Sequence, residues 1–526
     1  METTLTQPWK EVGSQPAATD WYLRLLPCLT DFSFLLPLFL VFGMLSGVPQ
    51  LLSDGDTGWH IRTGEWILDN HRVPRVDLFS FTMPGHSWFA WEWAWDALFG
   101  AISRSTGLAG VAFINILLIC FASALAFRLV RRYTGNDILA FGFTMLAMCG
   151  SMIHWLARPH LVSWVFALIF AHLILSARQG NRKALLWTPP LMLLWTNLHG
   201  GFFVGLLLLF AAVIGEAIEV TFSSVRPTWT AYKQAVEYLG CTLGCAAATL
   251  VNPYGWRLHE HVIAYLHDST LLDNISEFQT ISFHHPGSVF FECLLILGIA
   301  AAFWCFAHRL VGLGVSTLLF AHAALFSARN IPLFMLLSAA PAALLIQDLL
   351  ARASSLPIFA KLADAVAEIA NDLRSMERVG RSYLLSGVAV LLLALCLASG
   401  KGVFQAEFNP KNFPSRAISV LHAAHVERVF TVDQWADYLI YTYYPSQKVF
   451  FDGRSDFYGA GLLKKYQRIM DAQFDCEGLL NKFGIDGVMV KTDAPLATVL
   501  KKSPGWKLLF DDGATIIFRR GIQPGD

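Results

Sequence analysis

Stretches of uncharged, apolar residues long enough to cross a bilayer recur along most of this chain, and no other feature restricts its fold as strongly. About 20 such residues in a helix span the roughly 30 Å of hydrocarbon. A backbone inside lipid must also satisfy its own hydrogen bonds, so each run is expected to be a helix. The runs lie at residues 32–52, 107–130, 137–157, 160–177, 184–199, 201–222, 236–252, 288–307, 310–327, 331–350 and 382–402. They predict a polytopic α-helical membrane protein of about 11 transmembrane helices. The run at 184–199 is the weakest, because Pro189 and Pro190 remove backbone donors and kink a helix. The first run lacks a small-residue cleavage site and reads as a retained span, not a signal peptide.

Charge divides the chain. Residues 404–526 hold 29 of the 78 Asp, Glu, Lys and Arg, a density about twice that of the preceding part. The expected organisation is a cytoplasmic N-terminal segment (1–31), a multi-span membrane domain (32–403) with a first outer loop at 53–106, and a small extracytoplasmic α/β domain (404–526). Within the tail, strand patterns fall at 428–432, 448–452, 486–491, 506–510 and 514–519, the last two joined at a turn, Asp511-Asp512-Gly513. Helical patterns lie at 460–471, 476–483 and 495–502. The segment Phe451-Asp452-Gly453-Arg454-Ser455-Asp456 follows a strand and reads as either a ligand loop or, the better match, a polar turn.

Cationic loops stay cytoplasmic. One set of loops carries Arg128, Arg131, Arg132, Arg178, Arg182, Lys183, Arg226, Lys233, Arg309, Arg352, Lys361, Arg374, Arg378 and Arg381, with Lys10 and Arg24 on the N-terminal segment. The other set has only Arg62, Arg72, Arg75, Arg104, Arg158, Arg257 and Arg329. The imbalance places the N-terminus in the cytoplasm and, for an odd number of spans, the tail outside. Equal acidic and basic counts, 39 each, give no electrostatic reason to bind nucleic acid. The nine cysteines make no disulfide framework, and there is no Walker loop, nucleophile elbow or dinucleotide fingerprint.

Polar and ionisable residues next to the spans collect on the predicted outer side. In Leu52-Ser53-Asp54-Gly55-Asp56, residues two apart in an extended segment point the same way, so Asp54 and Asp56 can converge on one divalent cation (Mg or Mn) or one hydroxyl. An amphipathic helix is expected from about Thr57, carrying His60 and Arg62. Glu92 and Asp96 are spaced i, i+4 on one helical face within an aromatic stretch, Trp88 to Trp95. Arg158 and His160, Asn197 and His199, and Arg329 bring donors from three further segments to the same leaflet. Charges at membrane depth cost roughly 2.5–3.5 kcal/mol on insertion scales, so an anionic partner is expected, and a lipid-linked phosphate fits. Histidines crowd the loop at 252–287, but Ile263 breaks a His-Glu-x-x-His pattern there.

With an acidic pair after the first span, Asp54-Gly55-Asp56, the chain resembles the GT-C glycosyltransferases over roughly residues 30–350, closest to the bacterial branch of protein O-mannosyltransferases, aminoarabinose transferases and lipopolysaccharide glycosyltransferases. Here glycine separates the acids, and Trp59 and His60 follow them, where that branch often has adjacent acids followed by tyrosine. The resemblance implies an inverting transfer of sugar from a polyprenyl-phosphate donor to a glycan, lipid or protein acceptor, at the outer face of a bacterial cytoplasmic (inner) membrane. It implies Asp56 as the catalytic acid of the first loop with Asp54 as its companion, catalytic or metal-binding. His60, Arg62, Glu92, Asp96, Arg158, His160, Asn197, His199 and Arg329 are expected to bind substrate. A flippase for lipid-linked sugars and an inactive membrane scaffold are the rival readings.

Overall fold

The computed structural model describes residue 22 and residues 25–399 and 406–521, apart from 46, 224–227, 286 and parts of 355–382. Most of the predicted cytoplasmic segment 1–31, and the loop cations Arg24, Arg226, Arg378 and Arg381, lie outside the described residues.

Each of the eleven apolar runs contains a helix. In chain order the helices are α1 (Leu29–Gly43), α2 (Val48–Leu51), α3 (Asp56–Asn70), α4 (Trp93–Thr134), α5 (Asp137–Ser151), α6 (His160–Arg178), α7 (Thr188–Leu198), α8 (Phe203–Thr221), α9 (Lys233–Ala248), α10 (Arg257–His267), α11 (Ser269–Asn274), α12 (Ser288–Ala307), α13 (Val311–Phe326) and α14 (Ile331–Ala353). The last apolar run holds the helix Leu384–Ser399. Among the described residues, six helices are long and apolar enough to cross a membrane: Trp93–Thr134, Asp137–His154, His160–Arg178, Gly200–Thr221, Ser288–Ala307 and Ala328–Ala353. Leu29–Gly43, Val311–Phe326 and Leu384–Ser399 are apolar but shorter.

Two predicted boundaries move. The run at 32–52 is not one helix: α1 stops at Gly43, Gly47 takes φ 79°, and α2 restarts with proline in its first turn. Pro49 lacks the donor that a continuous helix needs, and glycine alone tolerates that φ cheaply. Just beyond the break Asp54 is buried. At the other edge, α4 begins 14 residues before the expected span, with Gly107 (φ 67°) marking the kink between its two parts. The first part, with Asp96 on it, packs against α3 so closely that a Cβ on Gly64 would lie 1.7 Å from the Asp96 carbonyl oxygen.

Residues 415–520 form a five-stranded sheet in the order β2-β1-β3-β5-β4, from Arg428–Thr431 (β1), Lys448–Val449 (β2), Gly487–Lys491 (β3), Trp506–Asp511 (β4) and Thr515–Arg520 (β5). β1 is parallel to β2 and β3, and β5 is antiparallel to β3 and β4. Helices Ser455–Met470, Cys476–Lys482 and Pro495–Leu500 stand where the sequence places them. Two more, Ser415–Ala423 and Asp433–Tyr443, occupy stretches with no predicted helix.

The segment 53–106 is woven into this sheet. Phe81 N–H donates to the Val449 carbonyl (3.1 Å) and Val449 N–H to that of Phe79 (3.0 Å), so 79–81 extends the sheet beside β2. In the segment at 451–456, read as a polar turn or a ligand loop, Phe451, Asp452 and Arg454 are instead buried. Arg454 is 2 % exposed, forks onto Asp452 (2.8 and 2.7 Å), reaches Asp77 (2.9 Å) and lies between the rings of Phe79 and Trp88. A carboxylate on each side and aromatic faces let the guanidinium be buried, which a surface turn would not require.

Candidate functional site

The helical bundle, the segment 53–106 and the tail meet at one cavity of about 610 Å³, including its open mouth. Its walls include Asp56, His60, Glu92, Asp96, Arg158, His160, His199 and Arg329, with Gly453, Arg454, Ser455 and Asp456 closing it from the tail. Eight of the eleven predicted site residues therefore share one space, brought there by α3, the start of α4, the turns before α6 and α8, and the turn before α14.

Two clusters line the cavity. In the first, Arg158 Nη1 donates to Asp54 Oδ2 (3.0 Å) and Nη2 pairs with Asp56 Oδ2 (2.5 Å), while Nη1 also bonds Glu277 Oε1. Asp54 Oδ1 accepts the Asp56 backbone N–H (2.9 Å), leaving Asp56 Oδ1 buried and without a hydrogen bond. In the second, Asp96 Oδ1 lies 2.6 Å from His60 Nδ1, and His60 Nε2 is 3.7 Å from Glu92 Oε2. On the far side of Glu92, His199 Nε2 is 3.5 Å from Oε1. Ser163 Oγ and Gly201 N–H both reach His199 Nδ1 (2.6 and 3.0 Å), so Nδ1 accepts and Nε2 keeps the proton that faces Glu92.

Burial controls the charges. It pushes the Glu92 carboxyl up to about 7 against the opposing pull of Arg329 and Arg158. It likewise drives His60 well below the usual imidazole range, so that ring is neutral. One guanidinium cannot neutralise three carboxylates. Burial raises Asp54 to about 7 and also raises Asp56, whereas Glu277, which burial alone would also raise, is held at about 2 by Arg158, His154 and Arg329. Arg329 differs from Arg158: it is half-buried, lies over the Phe278 ring (5.6 Å to its centre) and, among the described residues, makes no hydrogen bond or ion pair. It is the guanidinium with donors to offer an incoming anion.

Three predicted residues stand outside the cavity wall. Arg62 donates through Nε to the Tyr441 carbonyl (2.7 Å) and through Nη1 to Glu65 (2.6 Å), so it braces the tail. Asn197 accepts from Trp93 Nε1 (2.8 Å) and donates to the Leu193 and Val251 carbonyls, joining α7 to the start of α4. Asp54 stands behind Asp56, bound to Arg158. Two groups that the sequence reading does not single out belong here. Glu277 comes from the 252–287 loop, with nothing local to mark it. Asp437 lies on the helix Asp433–Tyr443, whose signal is legible: Trp435, Ala436, Leu439 and Ile440 form an apolar stripe, and Asp437 is a fully buried acid within it. A Cβ on Gly453 would lie 2.0 Å from Asp56 Oδ1 and 2.8 Å from Asp437 Oδ2, so only glycine lets the tail come this close.

The acidic pair does not fit a divalent cation as it stands. Three of its four carboxylate oxygens are engaged by Arg158 or by backbone, whereas Mg or Mn needs several free oxygens around it. Among the described residues, no group of three or more His, Cys, Asp or Glu is arranged to hold a metal ion.

No protein-family model and no curated protein matches the chain in sequence. Solved structures are similar in fold. The Archaeoglobus fulgidus oligosaccharyltransferase, tethered to an acceptor peptide containing the NVT sequon, superposes with a TM-score of 0.53 at 13% identity, over 94% of this chain and 74% of that one. The chain shares its fold with this oligosaccharyltransferase. A second structure of the archaeal enzyme, AglB with an inhibitory peptide and a dolichol-phosphate, gives 0.50 at 13% identity over 95% of this chain and 74% of that one. ArnT from Cupriavidus metallidurans bound to undecaprenyl phosphate gives 0.45 at 12% identity, over 95% and 98%.

Proposed function

We propose that the protein is a glycosyltransferase that moves a sugar from a polyprenyl-phosphate-type lipid donor to a glycan, lipid or protein acceptor, by inverting single displacement at the outer face of a bacterial inner membrane. The observation that carries this reading is the single cavity that both Asp56 and the unpaired guanidinium of Arg329 line, in a fold shared with an oligosaccharyltransferase. Polarity of the apolar runs and loop cations supports about eleven spans with the N-terminus in the cytoplasm and the tail outside.

In the proposed step the acceptor hydroxyl attacks the anomeric carbon as the bond from that carbon to the phosphate oxygen breaks. Asp56 takes the hydroxyl proton through Oδ1, while Arg158 fixes its other oxygen and hence its direction. The lipid phosphate leaves with its charge against Arg329, helped by the His199 Nε2–H. Glu92, set between two histidines, receives sugar hydroxyls. The tail closes the cavity on the acceptor side.

The test is lipid and glycan mass spectrometry of a deletion strain complemented with wild type or with Asp56→Asn at matched protein levels. Transfer predicts a missing glycan and an accumulated polyprenyl-linked sugar, restored by wild type alone, and the mass difference names the sugar. Restoration by both would remove Asp56 from the chemistry and favour a flippase or scaffold.

A further inference from the structure

The most constrained group in the cavity is a cation that belongs to the chain. Arg158 contacts Asp54, Asp56 and Glu277 from one planar head. Its backbone is held to the same loop on both sides of the acidic pair: Ala157 N–H donates to the Leu51 carbonyl (2.8 Å), and Thr57 Oγ1 donates to the Ala157 carbonyl (2.9 Å). Residue 158 is therefore built into the mouth of Asp54-Gly55-Asp56 by the fold, not merely drawn there by charge. A Lys, as a point charge on a flexible stem, would not span two carboxylates from two nitrogens as this fork does.

We propose that Arg158 occupies the place of a divalent cation between Asp54 and Asp56, so that the protein orients Asp56 without bound metal. The guanidinium supplies the functions that an ion would have at this point: it draws the two carboxylates together, fixes Oδ2 of Asp56 and leaves Oδ1 free. It supplies one positive charge where a metal would supply two, which leaves the phosphate to Arg329. Arg158 is on this account a positioning residue acting through Asp56. The inference rests on the transfer reading for its purpose, but its test reads metal and not product, so either can fail alone.

The test uses the full-length protein in detergent. Wild type is expected to carry no stoichiometric metal by elemental mass spectrometry after incubation with Mn²⁺ and desalting. Its melting temperature is expected to be the same in EDTA and in Mn²⁺. Arg158→Ala frees three carboxylate oxygens, Asp54 Oδ2, Asp56 Oδ2 and Glu277 Oε1, that now share one guanidinium. It is expected to melt lower and to gain several degrees, saturably, on adding Mn²⁺, as a ligand specific to the folded state requires. Adding Asp54→Asn to that variant should abolish the gain. Stoichiometric Mn²⁺ on wild type that disappears in Asp54→Asn/Asp56→Asn would overturn the proposal, and so would an Arg158→Ala protein that melts lower but ignores Mn²⁺, the behaviour of a plain structural ion pair. Should Arg158→Ala not be recovered, Arg158→Gln, which keeps most of the bulk and removes the charge, takes its place with the same outcomes.

Discussion

Replacing Arg454 by Met should release the tail from the outer loop. The side chain is 1 % exposed and neutralises Asp452 (0 %) and Asp77 (1 %) at 2.7 and 2.9 Å. Methionine keeps much of the packing against Phe79 and Trp88 but strands two carboxylates in the core. Breaking a buried ion pair from one side costs about 3–5 kcal/mol, because the partner charge is left without compensation. At about 1.4 kcal/mol per tenfold in an equilibrium constant, opening of the tail becomes roughly two to four orders of magnitude more frequent. Hydrogen exchange of the β1 and β3 amides in the full-length protein measures this directly. The triple variant Arg454→Met/Asp77→Asn/Asp452→Asn removes the stranded charges as well and should recover most of the protection, since a neutral set of similar volume is tolerated. Exchange within tenfold of wild type for Arg454→Met alone would refute the view that this clamp joins loop to tail.

The Glu92 carboxyl, raised to about 7, binds a proton in the folded state that the unfolded chain has released above about 4.5, so its contribution to stability falls as pH rises through that window and is flat above it. Glu92→Gln should therefore gain on wild type from about pH 4.5 to 7, by at most about 3 kcal/mol, as read from melting temperatures across the range. Gly64→Ala drives a methyl into the Asp96 carbonyl and should cost about 3 kcal/mol or more, with little folded protein recovered, whereas Gly142→Ala, which meets nothing within 4 Å, should be tolerated. Gly453→Ala displaces Asp56 and should abolish glycan formation in the complemented strain at normal protein levels.

Periodicity and composition made the local elements legible. An apolar run has one solution in lipid, a helix, which is why all eleven runs contain one. All five tail strands were legible for a similar reason: β-branched and aromatic runs between turn residues pack well in a sheet. The helix Asp433–Tyr443 was harder, because Tyr438, Tyr441, Thr442 and Tyr443 suit strands and only the spacing of its buried face marks it.

Most of the cavity was legible too, because ionisable residues beside membrane spans are costly enough to be informative. What the sequence by itself determined is a chain of apolar helices with acids and cations gathered at one level and a mixed α/β tail. Only the tertiary structure decided how those charges are used. Asp54 and Asp56 are neighbours in sequence, but the cation between them arrives from residue 158, and Glu277 from more than a hundred residues further on. Arg454 reads as a surface turn until Asp77 and the rings of Phe79 and Trp88 close around it. Local preference depends on a residue and its near neighbours, whereas the partner of a buried charge is whichever group the packing brings within a few ångströms, and that distance is set by the whole chain.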